Sequence, residues 1–142
     1  MTTDRAVHSK PMMTVAINCI DGRVQLPVLR FLKRRYRSPF VDVVTEPGPS
    51  RVLADQRDAA AVESIVRRVR ASIRYHEARL IAVVAHHDCA ASPLDQAGHQ
   101  PLLEASVDWV SRQFPETETV GLWVDERWRV SMVVESDENG RG

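Results

Sequence analysis

The chain has little cysteine: Cys19 and Cys89 are its two thiols among 142 residues. Two cysteines cannot build the disulfide framework of a small secreted domain, so a reducing, cytoplasmic setting is expected. A dominant charge is missing as well. Nineteen basic residues balance nineteen acidic ones, which leaves no overall field to favour nucleic acid or an anionic membrane, and neither is expected as a partner. No apolar run approaches the roughly 20 residues needed to cross a bilayer. The opening segment from Met1 to Met13 is polar and lacks the apolar core of a secretory leader. There is no internal repeat and no linker-like stretch, and 16.0 kDa fits one domain large enough to bury a real core.

Two stretches stand out against this background. Thr14-Val-Ala-Ile-Asn-Cys19-Ile20-Asp21-Gly22-Arg23 and Ile81-Ala-Val-Val-Ala-His86-His87-Asp88-Cys89 each begin as a short run of β-branched and small apolar residues, the pattern of a buried strand, and each ends abruptly in residues that bind metals. Thiolate sulfur and imidazole nitrogen suit zinc. A Cys₂His set with a free fourth position is a recognised catalytic arrangement, whereas structural zinc sites usually close with four protein ligands. Cys19, His86 and Cys89 are therefore candidate zinc ligands, with a water, Asp21 or a more distant histidine as the fourth. Adjacent strand residues point to opposite faces, so His86 is preferred to His87. Asp88 reads as a turn residue or as a hydrogen-bond acceptor behind the ligands. The alternative remains open at this point that both cysteines are ordinary buried thiols, a common fate of free cysteine.

Asp21 and Arg23 add a charged pair to the strand end that carries Cys19. Two thiolates cancel the formal charge of Zn²⁺, so water on such a metal is less acidic than water held by neutral histidines and needs help to ionise. Asp21 is placed to give that help, or to become the fourth ligand, with Arg23 as its fork-shaped partner. Alternatively, Asp21 and Gly22 simply form the turn leaving the strand.

Together the motifs Cys19-x-Asp21-x-Arg23 and His86-x-x-Cys89, with Val24 after the arginine, resemble the signature of the β-class carbonic anhydrases, and the resemblance extends from about Thr14 to about Val134. It implies zinc on Cys19, His86 and Cys89, and Asp21 and Arg23 as a catalytic dyad beside it. It also implies attack of zinc-bound hydroxide on carbon dioxide to give bicarbonate, and a homodimer with the metal near the subunit interface. A non-catalytic zinc module, or a hydrolase of carbonyl sulfide or carbon disulfide, is the alternative within the same resemblance. Three features depart from the family pattern. Glu46 and two prolines replace a small-residue, Asn-containing turn, and Ala90-Ala91 replaces glycines. The eighteen residues before Cys19 read as polar coil instead of the helices that brace the dimer and help build the pocket, so that part of the pocket is expected to be reduced.

The remaining pattern gives strands at Met12 to Ile20, Phe40 to Val44 and Leu80 to Ala85, and helices at Gln25 to Tyr36 and Arg57 to His76. A further helix is marked by Leu103, Val107, Val110 and Phe114, and Thr119 to Val124 with Arg129 to Val134 reads as a hairpin. Thr45 to Ser50 and Ser92 to Pro101 read as loops, the first on the rim of the site and the second carrying His99 as a surface residue, with a proton shuttle as the alternative. Lys33, Arg34, Arg35 and Arg37 read as a solvated helix end, with contact to a phosphate as the alternative. The expected fold is α/β, a mainly parallel sheet flanked by helices with an antiparallel edge strand or hairpin. Residues 14–134 form the expected domain, between a disordered or extended segment 1–13 and a flexible tail 135–142.

Overall fold

The computed structural model describes residues 12–136. In it the alternation of apolar runs and amphipathic segments resolves into one five-stranded sheet of order β2-β1-β3-β4-β5, with helices on both faces. The strands are β1 (Met13–Asn18), β2 (Phe40–Thr45), β3 (Leu80–His86), β4 (Glu118–Val124) and β5 (Val130–Glu135). The helices are α1 (Gln25–Arg35), α2 (Pro49–Asp55), α3 (Ala59–His76) and α4 (Gln96–Gln113), with a short 3₁₀ turn at Gly22–Val24 between β1 and α1. Strands β1 to β4 pair in parallel, and β5 runs antiparallel at the edge. This is the mainly parallel α/β fold expected from the sequence.

Strand β3 is buried along its whole length, as the centre of a sheet covered on both faces must be. Alternate residues feed two cores. Ile81, Val83 and Ala85 pack with Leu53, Ile65, Val69, Leu103 and Val107; Leu80, Ala82 and Val84 pack with Val24, Val28 and Leu32 of the α1 side. At Gly121 the packing leaves no room for a side chain. A Cβ there would lie 2.9 Å from Leu103 and 3.0 Å from Val134.

The chain leaves β1 for β2 on one side and β3 for β4 on the other. The carboxyl ends of β1 and β3 thus flank a topological switch point, where open α/β sheets leave a crevice for ligands.

Several boundaries differ from the sequence reading. Pro49 and Ser50, read as the end of a loop, instead open the helix Pro49–Asp55, because Pro49 occupies its first turn, where a missing N–H costs nothing. Helix α4 starts at Gln96, capped by the Asp95 carboxylate accepting from Gly98 N at 2.8 Å, and continues through Pro101; the cap and the burial of His99 and Leu103 outweigh the one backbone bond that proline removes. Met13 opens β1 and Glu135 closes β5. The readings of 1–11 and 137–142 lie outside the described residues. Among the described residues no helix is long and apolar enough to cross a membrane.

Candidate metal centre

The end of β1 is tied down before it can wander. Asn18 Oδ1 accepts from Cys19 N at 2.9 Å, and Glu46 N donates to Asn18 O at 3.0 Å. Gln25 Nε2 donates to the carbonyls of Cys19 (2.7 Å) and Asp21 (3.0 Å). The end of β3 is fixed by His87 N donating to Val124 O at 2.9 Å and by Asp88 in the left-handed region at φ 56°, which turns the chain so that Cys89 faces back toward the sheet.

These constraints bring Cys19, His86 and Cys89 together, with one ligand atom from each lying within 4.8 Å of the others. The three are 4, 1 and 3 % exposed. The sulfurs are 4.0 Å apart, far beyond the roughly 2.05 Å of a disulfide and close to the roughly 3.8 Å that two sulfurs 2.3 Å from one tetrahedral ion would show. His86 Nδ1 lies 2.6 Å from His87 O. A carbonyl can only accept, so Nδ1 carries the proton and Nε2 presents its lone pair. Nε2 is buried and has no hydrogen-bond partner among the described residues. A buried orphan acceptor beside two thiols is what a site shaped for a soft divalent cation should contain.

In the metal-free site the two thiols share one negative charge. Cys19 is held well below the ordinary thiol range, first by the hydrogen bond from Cys89 and further by His86, against the opposing effect of burial. Cys89 is pushed up by its bond to the charged Cys19 and by burial. Burial disfavours protonation of His86, but the neighbouring Cys19 and the bond to the His87 carbonyl raise its pKa overall.

Asp21 and Arg23 stand at the mouth. The Arg23 guanidinium grips Asp21 as a fork, with Nη2 2.7 Å from Oδ2 and Nε 3.0 Å from Oδ1, and the Arg23 backbone N–H adds a bond of 2.9 Å to Oδ1. This grip brings the Asp21 carboxyl down to about 2. Asp21 Oδ2 is 3.9 Å from His86 Nε2, so the carboxylate borders the three donors while remaining on the arginine. Arg23 also donates to Asp88 Oδ2 and to Asp88 O, both at 3.1 Å, and lies 5.0 Å above the Trp128 ring.

A family model described as "Putative carbonic anhydrase" matches residues 9–134. The chain belongs to this family. Its fold is shared with one of two tetrameric β-carbonic anhydrases from Sordaria macrospora, at a TM-score of 0.56 and 12 % identity over 94 % of this chain and 85 % of the other. The β-carbonic anhydrase CafA of Aspergillus fumigatus aligns over 99 % of this chain and 84 % of its own, at 14 % identity and a TM-score of 0.48. No curated protein matches in sequence.

In this family member four supporting residues escaped the sequence reading. Gln25 and Asn18 clamp the Cys19 loop, and neither lies in a motif. Gly48 adopts φ 56°, and its backbone also helps hold the Cys19 charge. A Cβ at Gly48 would meet Ala91 Cβ at 3.1 Å, so the Thr45–Ser50 stretch abuts the turn after Cys89. Trp128 arrives from the β4–β5 hairpin, a long-range contact that local spacing cannot reveal. His99 is a correction. It is not a surface residue but 2 % exposed, its Nε2 donating to Ser92 O at 2.9 Å and its ring 5.3 Å from that of Trp123. Burial lowers its pKa, so it rests neutral under the site.

Proposed function

We propose that this chain catalyses the reversible hydration of carbon dioxide to bicarbonate, with zinc held by Cys19, His86 and Cys89. The observation that carries this reading is the convergence of two buried sulfurs and one buried ring nitrogen at the carboxyl ends of adjacent parallel strands. Family membership and fold support it. When bound, zinc supplies the Lewis acidity that makes water a nucleophile near neutral pH.

The residues' own parts follow from their positions. Cys19 and Cys89, as thiolates, match the charge of a divalent ion, and the His86–His87 bond holds the imidazole in the tautomer that offers Nε2. Asp21, ionised and bordering the three donors, is the catalytic acceptor for the proton or hydrogen bond of a reacting water, and alternatively a fourth ligand when released. Arg23 acts through Asp21. Its bonds to Asp88 anchor the fork from the strand end opposite, so both motifs contribute to its aim.

The proposal extends to the unit and its setting. Residues 14–134 carry the activity, the thiolates call for a reducing cytoplasm, and the chain assembles at least as a homodimer. Exposed Phe40 and Val43 on the edge strand β2 support an assembly that covers them.

Stopped-flow hydration with the zinc-loaded full chain tests the reading, using Cys89→Ser as control. Rates far above the control are expected, and equal rates overturn it. Stoichiometric zinc without hydration would leave a binding module, and faster turnover of carbonyl sulfide or carbon disulfide would make the chain a hydrolase.

A further inference from the structure

Away from the metal rim, α1 and the β4–β5 hairpin enclose an open groove of about 870 Å³. Pro27, Arg30, Phe31 and Arg34 lie on one stripe of α1 at i, i+3, i+4 and i+7 spacing, Arg35 and Arg37 extend it, and Trp128 and Arg129 close it from the hairpin. Among the described residues, five arginines and no carboxylate line it. That concentration is notable in a chain whose charges balance. Arg30, Arg34, Arg37 and Arg129 form no ion pair among the described residues, and Arg35 rests 4.8 Å above the Tyr36 ring.

Complementing the helix dipole accounts for cations in the last turn of α1, Arg34 and Arg35 included. It does not account for Arg30, a turn earlier, nor for Arg129, which comes from a different element. Unneutralised like charges repel, and a multiply charged anion relieves that repulsion at several positions at once. Guanidinium forks suit phosphate better than point-charge ammonium groups do. Phe31 and Trp128 in the same groove add flat apolar surface of the kind a planar ring stacks on.

We propose that this groove binds a nucleotide, its phosphates on Arg30, Arg34 and Arg129 and its base against Phe31 and Trp128. The size fits one small molecule, since ligand pockets span about 300–1,000 Å³. The balanced charge of the chain gives no field extending along a polymer. Trp128 joins the groove to the metal rim, because its ring also carries the Arg23 guanidinium.

Calorimetric titration of the full chain at physiological ionic strength tests this, with ATP, inorganic triphosphate and a single-stranded oligonucleotide as probes. ATP is expected to bind saturably. Arg30→Gln with Arg34→Gln should weaken it at least about tenfold, while Arg67→Gln with Arg70→Gln on α3 should leave it unchanged. Trp128→Leu should weaken ATP severalfold and triphosphate little. The proposal is overturned by absent saturable ATP binding, by equal loss in the α3 variant, by triphosphate binding as tightly as ATP, or by tighter binding of the oligonucleotide. None of these readouts depends on zinc or on hydration.

Discussion

Two groups of side chains meet at the rim of this sheet, and they differ in almost every physical respect. Cys19, His86 and Cys89 are buried and held by backbone bonds at strand ends. Asp21 and Arg23 have side chains 20 and 47 % exposed and are held chiefly by each other and by Asp88. On the proposed function, the donors that meet one ion are fixed by the core, whereas the groups proposed to adjust a reacting water sit on a turn. The two groups nonetheless border each other, with His86 Nε2 3.9 Å from Asp21 Oδ2.

The comparison can be broken hardest at the buried group. Cys89→Ser or Cys19→Ser should abolish stoichiometric zinc and reduce hydration to background, measured by metal analysis and stopped-flow. Asp21→Asn should retain zinc and lose about 10–100-fold in hydration, the usual cost of altering a group beside the ligands. Arg23→Gln should cost about tenfold, again with zinc retained. Equal zinc loss in these two variants and in the cysteine variants would erase the division between centre and mouth.

Gly48→Ala sharpens the boundary between the groups. Its left-handed backbone disfavours a Cβ by about 1–2 kcal/mol, and the contact with Ala91 pushes on the turn after Cys89. Lower stability in urea unfolding together with weaker zinc binding is expected, with hydration by fully loaded enzyme little changed. The smallest effect concerns pH. In zinc-free protein the Asp21 carboxyl is lowered to about 2 from an ordinary value of about 3.9. Its contribution to stability is therefore complete above the ordinary value and lost as the pH falls through about 2. The stability difference between wild type and Asp21→Asn should shrink over that interval; a difference that grows toward acid would contradict the Arg23 grip.

Much of this architecture was legible in the chain. Strand ends betray themselves when an apolar run stops at cysteine or histidine, and the three candidate ligands that this pattern picks out do lie together. Helix α3 was equally plain, because Val62, Ile65 and Val69 repeat at helical spacing and are buried as that spacing requires. What escaped depends on distance in sequence. Breaker-rich composition hid α2 and the first turns of α4, since proline and glycine are compatible with helix starts as well as with loops. His99 was misread because polarity suggests exposure until a tertiary partner, here the Ser92 carbonyl, is known. The basic cluster at the end of α1 reads as a solvated helix end, and its groove exists only because the hairpin returns to face it.

Zinc-edge X-ray absorption on freshly purified full-length protein bears most directly on the central claim. About one zinc per chain, with two sulfurs at about 2.3 Å and at least one nitrogen at about 2.0 Å, is the predicted result. A protein that takes up no zinc, or holds it without sulfur in its shell, would contradict the account.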